Sequence, residues 1–287
     1  PGFYESDCTP DAMRNDVIWR VSRAGQVEWE ISFIDHIDEI CGLAGLPRPV
    51  RYRTLDSHGK PIPGKVPDWA HPNTIEVLPD SPAGQKDTRF RAGNILFSFR
   101  ALDIIGVFDP EKNAVVWAWG LGILDGQHQP TMTPAGTILV FDNGTARSYS
   151  AVVEIEPISG REVWRYESRS DFYSPYRAGA QRLPNGNTLV AESDAGRIFE
   201  LTPDKEIVWE YLNPFLDQTA DSPELHTAAG SQGLHVYRAT RYTEEQAAPV
   251  FAARADEIVF GVCDLDRRRC AKRSEMLAYY LDGTGGR

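Results

Sequence analysis

The feature that most constrains the fold is a short tryptophan-containing segment that recurs along the chain. Four segments have this form: VEWEI at Trp29, VVWAW at Trp117, EVWRY at Trp164 and IVWEY at Trp209. The last three follow one another at intervals of about 45 residues, a period typical of propeller blades. The recurrence therefore predicts a chain assembled from copies of one structural unit.

Each unit has the same internal order. A first strand leads to a proline turn (LPD, TPAG, LPNGN), then come a second strand (NILFSFR, TILVFDN, NTLVAES), a third (IIGVFDP, AVVEIEP, RIFELTP) and the tryptophan strand. Short β-branched runs bounded by Pro and Gly favour strands, and four of them per unit are typical of a blade. The sequence therefore predicts an all-β fold, a β-propeller with four-stranded blades. Trp117, Trp164 and Trp209 are expected to be buried between blades.

The repeats predict a propeller domain over residues 1–245. They comprise a partial blade ending near Trp29, three full blades, and a partial blade in LHVYRATRY from Leu234. A closed ring usually has four to eight blades. Either divergent strands in residues 1–15 and 246–287 supply the rest, or blades upstream of Pro1 do.

Two segments depart from the repeat. Residues 42–70 break the rhythm and are expected to form a long loop insertion over one face. Residues 246–287 are expected to be a C-terminal extension, partly helical near KRSEMLAYYL.

Composition excludes several classes of partner. The formal net charge is −11 at pH 7, so nucleic acid and anionic membrane surfaces are disfavoured. A small anion is still compatible, because a local cluster of Arg and His can reverse the field in one pocket. No apolar run approaches the ~20 residues that cross a bilayer.

The four cysteines form no CxxC pair, so a zinc ribbon or a thioredoxin-like motif is not indicated. They are Cys8, Cys41, Cys263 and Cys270. Cys263 and Cys270 flank the polar loop DLDRRR, which a disulfide could close in an oxidising compartment. Four reduced thiols are the alternative.

Candidate functional residues lie where the first strand of each blade begins, because these strands line the channel of a propeller. The strand starts read DWAHPN with His71 and Asn73, GQHQ with His128, and YSPYRAGAQ. Asn73 and His128 stand at the same distance from their turn prolines, so we expect them on neighbouring blades facing one pocket. Arg100 ends a second strand, and Arg147 follows the FDNG turn.

This set of side chains suits a tetrahedral oxyanion. Arginine presents a rigid fork of donors to sulfate or phosphate oxygens, and asparagine adds a neutral donor. Histidine can act as a nucleophile or as an acid–base group near neutral pH. A polar channel that merely holds ordered water is the alternative. Asp142 and Asn143 of the FDNG turn are most simply turn formers, although Asp142 could orient a pocket histidine.

Several long motifs in the right order resemble the arylsulfotransferase (aryl-sulfate sulfotransferase) family. They are DWAHPNTI, NILFSFR, GQHQPTMTPAGTILVFDNG, YSAVVEI and the run from FYSPYRAGAQ to EYLNP. The resemblance implies a PQQ-like, six-bladed β-propeller in the periplasm or outside the cell. It also implies PAPS-independent transfer of a sulfuryl group from a phenolic sulfate ester to a phenol, through a sulfohistidine and with no cofactor.

Carried over residue by residue, the resemblance implies roles for individual side chains. His128 of the QH motif would accept the sulfuryl group, with His71 and Arg100 as its catalytic partners. Substrate-binding roles would fall to Asn73, Arg147, Tyr173, Tyr176 and His36. The match of His36, in FIDHIDEI, is loose. Pro72, in the DWxHxN motif, and the long loop before Gly93 depart from the family pattern.

The remaining histidines, His58, His226 and His235, are predicted to be structural or solvated. No HxH or HExxH spacing indicates a metal site. Two other functions stay open: a non-catalytic propeller that binds or scaffolds, and a PQQ-dependent dehydrogenase, for which no calcium-ligand cluster is evident. Expected partners are small aromatic sulfate esters and phenols, and either a second copy or another chain completing the ring.

Overall fold

The computed structural model describes residues 16–46, 69–214 and 235–253, together with the strand residues 263–264 and 269–270. The chain divides into two compact units, one ending at Thr240 and the other beginning at Arg241. The predicted boundary at residue 245 stays a prediction. Most of the predicted loop at 42–70, and the predicted helix near 272–281, lie outside the described residues.

The first unit contains three four-stranded antiparallel sheets, each a simple meander. The first blade comprises β3 (Pro72–Val77), β4 (Ile95–Phe99), β5 (Ile104–Asp109) and β6 (Ala114–Trp119). The second comprises β7 (His128–Met132), β8 (Ile138–Asp142), β9 (Ala151–Glu156) and β10 (Arg161–Glu167). The third comprises β11 (Gly179–Arg182), β12 (Thr188–Glu192), β13 (Arg197–Leu201) and β14 (Ile207–Leu212). The predicted β-propeller with four-stranded blades is confirmed, and the described residues do not close its ring.

A two-stranded sheet precedes these blades, as predicted for the segment that ends near Trp29. It pairs β1 (Val17–Val21) with β2 (Val27–Ser32), and α1 (Ile37–Ala44) then packs on β6. Phe33 and Ile40 of this region are buried in one core cluster with Phe97, so the sheet is part of the same fold.

The departure from the family pattern before Gly93 is a packed structure. The β3–β4 connection carries the short helix α2 (Pro82–Lys86), whose start is capped by the Ser81 hydroxyl accepting from Gly84 N at 3.2 Å. Phe90 then places its ring against Trp117, with the centroids 5.2 Å apart. The insertion therefore covers the junction of the first two blades.

The edge strands β3, β7 and β11 contact one another in turn, so they are the inner strands. The three blades pack face to face through buried aliphatic side chains such as Val107, Val140 and Val190. Because the inner strands lie side by side, their first residues are brought to one end of the channel.

The predicted burial of the repeating tryptophans is confirmed for Trp117, which is 6% exposed. Trp164 is half-buried, packs on the third blade's core and donates from Nε1 to Pro203 O at 3.0 Å. The prediction is wrong for Trp209, which is 43% exposed. Among the described residues no further blade follows β14, on which this tryptophan lies.

The predicted partial blade in LHVYRATRY forms no strand over its described part, residues 235–242. Residues 235–240 nevertheless continue the wall of the channel. Val236 N donates to Ser193 O at 3.0 Å, and Arg238 Nη2 donates to Thr74 Oγ1 at 3.3 Å. This segment therefore spans from the third blade to β3 of the first.

The second unit is described only in part. It contains α3 (Glu244–Ala253) and the paired strands β15 (Cys263–Asp264) and β16 (Arg269–Cys270). The backbones of Cys263 and Cys270 lie opposite each other in this pair. Their side chains are outside the described part, so the disulfide stays a prediction.

Candidate active site

The blade repeat places four polar residues at equivalent positions on the first two blades. The pairs Val77–Ile95 and Met132–Ile138 occupy the same place in the first two blades. Asn73 and His128 lie equally far before these pairs, and Arg100 and Asn143 lie equally far after them. The third blade has Ala178 and Ser193 at these positions. The chemistry at this end of the channel is therefore supplied by two neighbouring blades.

His128 begins β7 and is only 4% exposed. Its Nδ1 lies 2.8 Å from Asn143 Oδ1 and 3.1 Å from Gly126 O. Both contacts lie at the same ring nitrogen. The His128 side chain is thus held by Asn143 of its own blade and by the loop that precedes β7.

Burial lowers the pKa of His128 from 6.5 to about 4, and the charges of Arg100 and His71 push it in the same direction. The hydrogen bonds that His128 makes to Asn143 and Gly126 oppose these effects without reversing them. His128 is therefore a neutral imidazole at pH 7, and Arg100 and His71 are close enough to influence its charge.

His71 lies just before β3 and is exposed, with a backbone φ of 47°. This left-handed conformation is uncommon outside glycine, and the His71 carbonyl accepts the backbone N–H of Arg100 at 3.2 Å. The backbone bond fastens the start of the inner strand to the end of the second strand. The side chain of His71 is exposed to solvent and lies close enough to the buried His128 to influence its charge.

The contacts of Asn73 differ from those expected of a donor to the ligand. Its Nδ2 already donates to Gln127 O at 2.8 Å, and its Oδ1 is buried without a hydrogen-bond partner. Gln127 is itself fully buried and donates to Ser98, Phe99 and Ile104. Asn73 thus links the two blades, and its ligand-binding role stays a prediction.

Arg100 reaches across to the loop before β11. Its Nη2 lies 3.4 Å from Pro175 O, and its guanidinium carbon is 6.0 Å from the ring centre of Tyr176. Tyr176 is 45% exposed. Burial raises the pKa of the neighbouring Tyr173 hydroxyl, with smaller contributions from Tyr176 and Asp125. Tyr176 therefore lies next to the arginine, and Tyr173 lies near Tyr176.

Arg147 and His36 have other contacts. Arg147 pairs with the buried Asp142 at 2.7 Å and donates from Nε to Tyr149 O at 2.9 Å. His36 is 6% exposed and contacts Glu39 and the edge of Phe108, in the core next to α1. The structure does not bring these two residues together with His128, and their substrate-binding roles stay predictions.

Asp142 does not orient the histidine, because its carboxylate accepts from Asp125 N at 2.8 Å and from Arg147. Burial raises its pKa to about 6. The residue that contacts His128 is Asn143, which the FDNG pattern predicts only as a turn former. Its position in the blade repeat, equivalent to Arg100, is the signal that could have identified it.

The inner strands and residues 235–240 line a cavity of about 270 Å³, whose lining includes Glu76, Gln129, Gln181 and Thr240. Burial raises the pKa of Glu76. Within the described ranges, no group of three or more His, Cys, Asp or Glu side chains is placed to bind a metal ion. None of the helices described has the length and apolar character needed to cross a bilayer.

Comparison with known proteins agrees with the blade pattern. The sequence model of the arylsulfotransferase (ASST) family matches residues 6–214. No curated protein sequence matches the chain significantly.

Solved structures resemble the chain weakly. A Bacteroides caccae protein of unknown function is 13% identical, with a TM-score of 0.40, over 69% of this chain and 58% of its own. Virginiamycin B lyase from Staphylococcus aureus is 19% identical, with a TM-score of 0.37, over 56% and 47%. The Dos1 propeller is 10% identical, with a TM-score of 0.42, over 70% and 44%. The chain thus spans about half the length of these structures. The family match covers most of the chain and includes every predicted site residue, and the chain belongs to the arylsulfotransferase family.

Proposed function

We propose that this chain transfers a sulfuryl group from a phenolic sulfate ester to a phenol, with His128 as the group that is transiently sulfated. The observation that carries the proposal is a buried, neutral imidazole that lies close enough to Arg100 and to the exposed His71 for their charges to act on it. A neutral imidazole has the lone pair that a nucleophile needs. The family membership supports the sulfotransferase-like class, and the finer mechanism is inferred from the site.

Arg100 supplies the electrostatic part of the reaction. A sulfate ester carries negative charge on its sulfuryl oxygens, and a forked guanidinium can contact two of them. Its charge disfavours protonation of His128, so one side chain would both bind the donor and keep the nucleophile neutral. His71, exposed beside the pocket, would donate a proton to the departing phenolic oxygen and take one from the acceptor.

The aryl group would lie against the tyrosines. Tyr176 presents nearly half of its surface to solvent and lies next to Arg100, so an aromatic ring could stack there while its sulfate reaches the guanidinium. We therefore propose small aromatic sulfate esters and phenols as substrates. An anionic donor is compatible with the net charge of −11 because the Arg100 guanidinium places a positive charge next to Tyr176.

A periplasmic or extracellular location is proposed with the same function. The family resemblance supports it. The opposed backbones of Cys263 and Cys270 are compatible with a disulfide, which would form in an oxidising compartment.

A binding role without catalysis is the second candidate. Every residue of β14 is exposed, including Trp209 and Leu212. An apolar outer strand of this kind suits contact with another chain or with a second copy. A partner completing the ring would act in this way.

The test is to incubate the protein with 4-nitrophenyl sulfate and phenol. The measured quantities are the release of 4-nitrophenol and the formation of phenyl sulfate. We expect the wild-type protein and an exposed control on β10, Arg161→Ala, to turn over, and His128→Ala to be inactive with an unchanged circular dichroism spectrum. A wild-type protein inert to a panel of aryl sulfates would favour the binding role. Full activity of His128→Ala would assign the nucleophile elsewhere.

A further inference from the structure

We propose that Asn143 is a positioning residue for the nucleophile: it holds the imidazole proton on Nδ1 of His128 and leaves Nε2 as the nitrogen that accepts the sulfuryl group. The chemical part of this inference rests on the proposed function. The protonation pattern that it assigns can be measured without any turnover.

The orientation of the Asn143 amide is fixed by its other contacts. Asn143 is fully buried, and its Nδ2 donates to Ser174 O at 2.6 Å and to Arg177 O at 3.4 Å. An amide oxygen facing those two carbonyls would have no donor, so the nitrogen must be the atom that points to them. Oδ1 is therefore the atom that lies 2.8 Å from His128 Nδ1.

The tautomer of His128 is fixed in turn. Its Nδ1 contacts two oxygens, Asn143 Oδ1 and Gly126 O, and both can only accept. Nδ1 must therefore carry the proton in the neutral ring, since a lone pair there would face two others. The lone pair of the ring is then on Nε2.

The loop that orients Asn143 is itself held by a buried carboxylate. Asp194 is 1% exposed, and its Oδ2 accepts from Tyr176 N at 2.8 Å and from Ser174 Oγ at 3.1 Å. The Asn143 carbonyl also accepts from Ser150 Oγ at 2.7 Å. A flip of the amide would therefore cost two hydrogen bonds to a loop that cannot easily move with it.

The reaction proceeds in two steps. Nε2 of His128 forms the bond to sulfur, and the bond from sulfur to the phenolic oxygen breaks with its electron pair going to that oxygen, which takes a proton from His71. The imidazole keeps its Nδ1 proton and becomes cationic, so the bond to Asn143 Oδ1 strengthens as charge develops. In the second step the acceptor oxygen bonds to sulfur, returns its proton to His71, and the electron pair goes back to Nε2.

Two substitutions should move the pKa of His128 in opposite directions. Asn143→Leu removes the main acceptor and should lower it, whereas Asn143→Asp places a carboxylate at Nδ1 and should raise it. The charged groups that act on His128, Arg100 and His71, are unchanged in both variants. Loss of one hydrogen bond to a developing cation in Asn143→Leu should lower kcat roughly 10- to 100-fold with little change in KM.

Asn94→Leu is the matched control. Asn94 is as buried as Asn143, at 1% exposed, and its Nδ2 also braces a loop by donating to Thr88 O and Arg89 O. It lies in the β3–β4 connection and does not contact His128. We expect its replacement to lower the melting temperature while the protonation pattern of His128 stays as in the wild type.

The experiment is ¹⁵N NMR of the imidazole nitrogens in the full chain as the pH is varied, with His128 assigned by its loss in His128→Gln. The expected result is a protonated Nδ1 and an unprotonated Nε2 at neutral pH, with the pKa raised in Asn143→Asp and lowered in Asn143→Leu. A proton on Nε2 in the wild type, or one pKa shared by all three proteins, would overturn the assignment. If Asn143→Leu does not fold, the nitrogen that carries the proton in the wild type still decides it. Inertness to aryl sulfates would overturn the proposed function alone.

Discussion

At the scale of single residues, the site combines groups that must stay neutral with groups that must stay charged. His128 is buried and uncharged at pH 7, whereas the Arg100 guanidinium lies beside the solvent-facing Tyr176. Placing a cation next to a buried imidazole makes the imidazolium still less favourable. The arrangement therefore has consequences for stability that can be measured independently of any substrate.

His128 should make folding dependent on pH between 6.5 and about 4. The unfolded chain binds a proton on this histidine near pH 6.5 and the folded protein only near pH 4. Stability is therefore complete above pH 6.5 and falls as the pH drops through this window, by about 3 kcal/mol. The measurement is urea unfolding of the wild type and His128→Gln at both ends of the window.

Comparison with the variant isolates this one group, because Asp142 titrates near pH 6 in both proteins. The stability difference between the two proteins should shift by about 3 kcal/mol in favour of His128→Gln at the acid end. A difference that stays constant with pH would mean that His128 is not buried as a neutral ring.

Arg100→Lys should reduce turnover of aryl sulfates even though the charge is kept. An ammonium cannot make the forked contact to two sulfuryl oxygens, and losing such a contact in the transition state costs about 3 kcal/mol, or roughly 10² in rate. Steady-state kinetics with 4-nitrophenyl sulfate measures it. The exposed Arg161→Lys should behave as the wild type, and equal rates for both variants would exclude the bidentate role.

At the scale of elements, the stability of each blade should depend on whether its tryptophan strand is covered. Trp117 is packed between blades, so Trp117→Ala should lower the free energy of unfolding by about 3–5 kcal/mol. Trp209 lies on the exposed strand β14, so Trp209→Ala should cost less than about 1 kcal/mol. Urea unfolding of both variants tests this contrast. A large loss for Trp209→Ala would show that β14 is covered in solution.

The strand order of each blade could be predicted because turn prolines and the recurring tryptophan are local signals. The exposure of Trp209 could not, since it depends on whether another blade packs against β14 and not on the sequence of β14 itself. The same distinction applies in the site. The positions of His128 and Asn73 could be predicted from matched spacing, whereas the hydrogen bond of Asn143 to His128 depends on loop carbonyls about 30 residues later in the chain. The pairing of Arg147 with Asp142, by contrast, is a local contact within the turn that follows β8.

At the scale of the whole propeller unit, residues 235–240 extend the inner ring beyond the three blades. Thr74 Oγ1 accepts from Gln129 N at 3.2 Å and from Arg238 Nη2 at 3.3 Å. A Cβ at Gly179 would lie 1.8 Å from Gln129 Oε1, so a larger residue there would displace the Gln129 side chain. One layer across the channel thus joins the three inner strands to this segment.

Breaking that layer should loosen the segment without unfolding the blades. In Arg238→Met the bond to Thr74 is lost, and we expect the Val236 amide, which donates to Ser193 O, to exchange its hydrogen about fivefold faster, corresponding to about 1 kcal/mol. Hydrogen exchange measured by NMR tests this. Amides of β8 should be unaffected in the same sample, and an unchanged rate at Val236 would mean that Arg238 does not hold the segment.

The central claim is that His128 carries the sulfuryl group, and the most direct measurement is to trap it there. The protein is incubated with 4-nitrophenyl sulfate without an acceptor, digested under neutral conditions and sequenced by mass spectrometry. We predict one added sulfuryl group on the peptide containing His128, its loss when phenol is added, and no label in His128→Ala. A label on another residue, or sulfuryl transfer to phenol that proceeds at the wild-type rate in His128→Ala, would contradict the account.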